Sequence, residues 1–213
     1  MNRIRLLPLG LLLLTAACAK GKSDLDETGG LRITRSTCPA VAIPTYTGDV
    51  SLFSPVQSHD ARALDVSATI TNLRTSCNET GSPVRVDVTF DVVAQRAGRG
   101  GARDVVLPYY WTVVQAGTKI LSKQVANVHI HFDDGQVRGI GTAGAAAAID
   151  KAAASLPASI SERLNRKRKA GDADASIDPM ADPKIRRQVN QANFELLIGF
   201  QLTPEQLAYN ATR

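Results

Sequence analysis

His129-Ile130-His131 sets two imidazoles two residues apart. On a β-strand that spacing sends both side chains to one face. A metal takes its nitrogen ligands from such a pair, and Asp133 or His59 would complete the set. The alternate positions Val128, Ile130 and Phe132 make the apolar face, so His129 and His131 point to water. Two solvent-facing histidines without a third fixed ligand read as a surface pair. No cofactor is therefore expected. Asp172, Asp174, Ser176 and Asp178 have the oxygen spacing of a calcium loop. Ile177 stands where such a loop turns on glycine, and Pro183 where it takes two oxygens from a glutamate. The stretch reads better as a solvated acidic linker. Arg163, Arg166, Lys167, Arg168 and Lys169 form the densest cationic cluster. Each cation near an anionic membrane contributes about 1 kcal/mol. The competing reading is cations at a helix C-terminus, favoured there by the helix dipole. No serine sits in a Gly-x-Ser-x-Gly elbow, and neither His-Glu-x-x-His nor a phosphate-binding glycine loop occurs. No catalytic residue is assigned, and a non-enzymatic role is expected.

The elements that would carry these residues begin with an export signal. Arg3 and Arg5 precede an apolar run, Leu6 to Leu14, and then Thr15-Ala16-Ala17-Cys18. Basic, apolar and small residues in that order make a secretory signal. A spanning helix needs roughly 20 apolar residues, about twice this run. The sequence here resembles the bacterial lipoprotein family. Ala16, Ala17 and Cys18 match its signal, while Thr15 stands where leucine is usual and Leu14 sits one residue early. The resemblance implies that Cys18 is acylated and becomes the new N-terminus. It also implies two or three acyl chains, and two signals suffice for a stable anchor. Ala19 and Lys20 follow, without an aspartate. That is similar to lipoproteins sorted to the outer membrane and facing the periplasm. Ala17-Cys18-Ala19 also satisfies a small-x-small cleavage rule. Cleavage there would release a soluble periplasmic or secreted protein. The signal, the β-region and the last twenty residues, Phe194 to Arg213, together resemble a group of alphaproteobacterial lipoproteins. That resemblance spans the chain and implies no activity.

Export bears on the other two cysteines. Acylation or loss of Cys18 leaves Cys38 and Cys77, an even count in an oxidising compartment. A Cys38–Cys77 disulfide is expected; two buried free thiols are the alternative. The net charge of +5 is unevenly placed. Residues 18–150 hold thirteen cations and thirteen anions, whereas residues 151–213 hold ten and seven. A basic tail on a neutral body suits an anionic surface. In an envelope that means lipid headgroups, lipopolysaccharide, peptidoglycan or another envelope protein, and not nucleic acid.

Beyond the signal (1–17) and a polar tether (18–36), period-two patterning predicts a β-sandwich-like domain over 37–149. Val84, Val86, Val88, Phe90 and Val92 alternate with polar residues, as do Val66, Ala68 and Ile70. Turn residues fall at 78–83, 98–101, 116–118 and 133–135. Pro108 argues for an edge strand or a bulge. Residues 136–148 read as strand with a helix from Asp150, against a rival alanine-rich helix over 143–154. Cys38 and Cys77 both precede Trp111, so the Cys–Trp–Cys order of immunoglobulin domains is absent. Residues 150–213 read as a helical tail packed on the sheet. Ser159 and Glu162 suggest a capping box, Asp182-Pro183 a helix start, and Thr203-Pro204 another. The apolar face of the middle helix runs from Ile185 through Leu196, widened by Phe194, Leu197 and Ile198. The expected fold is mainly β: an antiparallel sandwich followed by a short α-helical C-terminal segment. Three roles follow. They are a lipid-tethered binding or scaffolding protein, a metal-binding protein or enzyme using His129 and His131, and an assembly factor acting by strand addition.

Overall fold

The alternation from Val84 to Ala94 folds as read. Val84, Val86, Val88, Phe90, Val92 and Ala94 are each buried, in a strand that spans Val84–Arg96. The computed structural model describes residues 35–58, 60–166, 171–173 and 176–212. Its strands are β1 (Ala40–Ala42), β2 (Asp49–Phe53), β3 (Leu64–Asn78), β4 (Val84–Arg96), β5 (Arg103–Gln115), β6 (Lys119–Phe132), β7 (Arg138–Ile149) and β8 (Phe194–Phe200). The helices are α1 (Lys151–Ala154), α2 (Ala158–Asn165), α3 (Pro183–Gln191) and α4 (Pro204–Thr212). Two four-stranded sheets result: sheet I in the order β1-β8-β5-β6 and sheet II in the order β2-β3-β4-β7. Every pair is antiparallel except β1 with β8. The mainly β sandwich with short C-terminal helices is thus the observed fold.

Phe90, Phe132, Phe200, Leu107, Ile130, Leu196 and Ile198 are fully buried and fill the core between the sheets. Each such side chain contributes roughly 1.5–3 kcal/mol through burial. Tyr109 packs edge-on to Phe90 at 5.2 Å and stacks on Trp111 at 5.9 Å. These rings explain the alanines of β7. Tyr109 Oη donates to the Gly144 carbonyl (2.6 Å) and Trp111 Nε1 to the Ala146 carbonyl (3.0 Å). Small residues on β7 leave room for both rings, and cross-sheet packing overrides alanine's helix preference. The helix begins only at Lys151, where the Asp150 carboxylate accepts from Ala152 N.

The C-terminal segment differs from the sequence reading. The helix that starts at Pro183 ends at Gln191, and Phe194–Phe200 is a strand between β1 and β5. Phe194, Leu196, Ile198 and Phe200 alternate into the core. That period-two signal lay beneath the helical reading of the same apolar residues. Asn193 turns the chain, its carbonyl accepting from Ala116 N. Ile185 and Val189 are the buried face of α3, as expected, and the Asp182 carboxylate caps it at Lys184 N. Thr203 and Gln206 cap α4 reciprocally. Ser159 does not cap: it lies inside α2, whose N-cap is Pro157 without a side-chain bond.

Pro108 is in an interior strand rather than at an edge. Its carbonyl accepts from Gln201 N, just past the end of β8. The missing N–H therefore faces the place where the β5–β8 ladder has run out, so no bond is lost.

Candidate functional site

His129 and His131 lie on the outward face of β6, with Val128, Ile130 and Phe132 buried beneath. The structure gives His131 two carboxylates. Its Nδ1 is 2.7 Å from Asp104 on β5, and its Nε2 is 3.5 Å from Asp133. Asp104 above all, through hydrogen bond and charge, and Asp133 more weakly, raise the His131 pKa above its ordinary 6.5. This geometry suits an imidazolium spanning two carboxylates. No group of three or more His, Cys, Asp or Glu side chains able to hold a metal occurs among the described residues. His59 lies outside the described residues. Because the folded pKa is raised, the stabilisation from protonated His131 is complete below the unfolded value. It is lost as pH rises through the folded one. The melting-temperature gap between wild type and His131→Gln is expected to be largest near pH 5 and to close in alkaline buffer. A gap independent of pH would refute the assignment.

Two of the five clustered cations meet carboxylates. Arg163 Nη2 is 3.4 Å from Asp182, and Arg166 Nη2 is 3.6 Å from Asp172. Both lie in or just past the last turn of α2. Lys167, Arg168 and Lys169 lie outside the described residues, as do Asp174 and Cys18. The calcium-like spacing does not assemble a site from the residues described. Asp172 faces Arg166, and Asp178 caps the turn at Met180 N. Cys38 and Cys77 are joined as a disulfide. Beside it, Glu79 Oε2 accepts from Ser36 Oγ, Thr37 N and Thr37 Oγ1. These bonds hold the Glu79 carboxyl below the usual range.

Period-two patterning alone does not show that the outer face of sheet I lies uncovered. Tyr110 stands opposite Val125 on β6 and Gly199 on β8; Thr112 stands opposite Lys123 and Leu197. An open groove of about 490 Å³ lies there, with Pro44, Tyr110, Val114, Leu197, Leu202 and Leu207 in its lining. Lys123 lies at its rim, with Nζ 4.8 Å from the Tyr110 ring centroid. A Cβ at Gly199 would collide with Thr47 Oγ1 and fall 3.2 Å from Tyr110 Cε1, so this position beside the groove requires glycine. Ile120, Val125 and Val106 extend the apolar surface, at 66%, 55% and 48% exposure. Parity in the sequence puts Val106 on one face of its strand with Thr112, and Val125 on one face with Lys123 and Asn127.

A second feature is how the sandwich closes. A Cβ at Gly139 would fall 2.7 Å from the His131 carbonyl, and one at Gly141 2.5 Å from that of His129. β7 thus lies directly against the C-terminal half of β6, and only glycine permits that approach. Gly141→Ala is expected to cost roughly 1–3 kcal/mol through overpacking. Urea unfolding would measure it, and an unchanged midpoint would disprove the contact.

The chain matches no family model, no curated protein and no solved structure. No helix among the described residues is long and apolar enough to cross a membrane.

Proposed function

We propose that this chain is an exported cell-envelope lipoprotein, anchored through Cys18, whose β-sandwich binds another envelope component without catalysis. The observation that carries the binding role is the uncovered apolar face of sheet I, with the groove beneath Leu207. Apolar surface exposed in a contiguous patch marks an interaction site. The Cys38–Cys77 disulfide supports an oxidising compartment. The acyl anchor keeps the domain at a membrane, on this reading the periplasmic side of the outer membrane. The basic tail adds attraction to anionic headgroups, lipopolysaccharide or peptidoglycan.

Two measurements test this. Mass spectrometry of the mature protein is expected to find Cys18 as the N-terminal residue, carrying acyl mass. A free amino terminus beyond Cys18 would remove the anchor from the proposal. A photo-crosslinker placed at Val106 in cells is expected to trap a discrete partner, whereas one at Arg85 on the exposed face of sheet II is not. Equal trapping at both positions would refute the binding face.

A further inference from the structure

A β-sandwich has sheet edges, and most of those described here are closed. The β2 edge is covered by α4: Asn210 Nδ2 donates to the carbonyls of Tyr46 and Asp49, each at 2.8 Å. On β7, Tyr109 and Trp111 occupy the Gly144 and Ala146 carbonyls, and Gly139 and Gly141 lie against β6. β1 is only three residues long. The N-terminal half of β6 remains. Lys119–Val125 is exposed throughout, with Ile120 at 66%, Leu121 at 45% and Val125 at 55%.

The direction of its backbone groups follows from the ladder. Pro108 turns its carbonyl toward Gln201, so its partner Asn127 turns N–H and C=O away from β5. The His129 and His131 carbonyls, facing β7, fit the same alternation. Carried back along β6, it turns the N–H and C=O of Lys123 and Val125 outward. Among the described residues, no hydrogen bond engages these outward groups. The carbonyl of Ser122, at the bulge beside Leu121, accepts from Thr112 Oγ1.

We infer that Lys119–Val125 of β6 receives an extended segment of another polypeptide, bearing acidic side chains, as a fifth strand of sheet I. This rests on the reading of the protein as a binding module and names the partner's chemistry. Outward N–H and C=O groups specify a strand. Lys119 and Lys123 are the only charged residues of the segment, and both are cationic. Acidic residues on the incoming strand would sit opposite them, and opposite charges across a strand pair are favourable. The same lysines oppose a second copy. An antiparallel pair of β6 edges centred on Leu121 would set Lys119 against Lys123 twice, and like charges directly opposite are destabilising.

The test uses the full chain and two synthetic peptides, one alternating valine with glutamate and one alternating valine with lysine. The glutamate peptide is expected to bind on the order of tenfold more tightly, and to slow amide exchange at Lys123 and Val125. Lys119→Glu with Lys123→Glu is expected to invert the preference. Val125→Pro removes one outward N–H and is expected to abolish binding of both peptides. Should that variant lose its cooperative melt, the charge-reversed variant decides alone. Equal affinity for the two peptides, no binding of either, or protection elsewhere than β6 would overturn the inference. So would protection of β6 by phosphatidylglycerol vesicles but not by peptide, which would mark a lipid contact. If the peptides fail while Val106 still crosslinks a partner, this inference falls and the binding-module reading stands.

Discussion

Arg96→Ala is expected to lower the free energy of unfolding by about 2–4 kcal/mol. Arg96 ends β4 at a buried position, with 7% of its surface exposed. Its Nε donates to the Gln136 carbonyl, Nη1 to Gly101, and Nη2 to both Gly100 and Asp133. The guanidinium lies 5.4 Å from the Phe132 ring centroid, adding a cation–π contact. One side chain therefore binds the β4–β5 turn to the β6–β7 turn. Truncation leaves the Gly101 and Gln136 carbonyls without a donor, removes the second donor of the Gly100 and Asp133 carbonyls, which keep the Gly135 and Gln136 N–H groups, and opens a void beside Phe132. Arg96→Lys is expected to recover only part of the loss, because an ammonium cannot reproduce the planar fan of donors. Urea titration followed by tryptophan fluorescence at Trp111 would measure both. A cost below about 1 kcal/mol for the alanine variant would show that water replaces the guanidinium.

Serine at both Cys38 and Cys77 is expected to cost about 4 kcal/mol, the chain entropy of a loop near forty residues. Cys38 precedes β1 of sheet I, and Cys77 lies in β3 of sheet II, so the bond ties one layer to the other. The bonds from Ser36 and Thr37 to Glu79 remain in the variant and keep the segment near its place. The loss should therefore appear as a lower urea midpoint with the fold retained. Wild-type protein in reductant should fall to the same midpoint. A midpoint unmoved by reductant would mean that the thiols are not joined in solution.

Much of this architecture was legible where side-chain period and turn chemistry agree. Strands β3 to β7 follow alternating residues and their Gly, Asn and Asp turns, and Asp150, Asp182 and Thr203 mark helix starts by capping. Period does not decide the element where two periods fit one apolar run. Phe194 to Ile198 satisfies the helical face begun at Ile185, and also the strand alternation that continues to Phe200. The sheet decides between them, because β8 fills the gap between β1 and β5. β1 and β2 are too short to show a period. Arg96 carries its own signal in the sequence: it continues the buried alternation of β4, and a charged residue on that parity needs partners. The cysteine pairing was legible from the even count that remains when Cys18 is set aside. The groove and the free edge were not, because they depend on which strands end up neighbours.

The place of β8 in sheet I bears on how the protein reaches its folded state. Sheet II draws its four strands from residues 49–149, whereas sheet I has a vacancy between β1 and β5 until residues 194–200 arrive. A chain emerging N-terminus first can thus assemble one layer early while the other waits. The half-built intermediate has its apolar interior bare, which is the condition that chaperones recognise. Late insertion of one strand also delays tight folding until most of the chain has emerged, and slows its final step through the long separation of the paired segments.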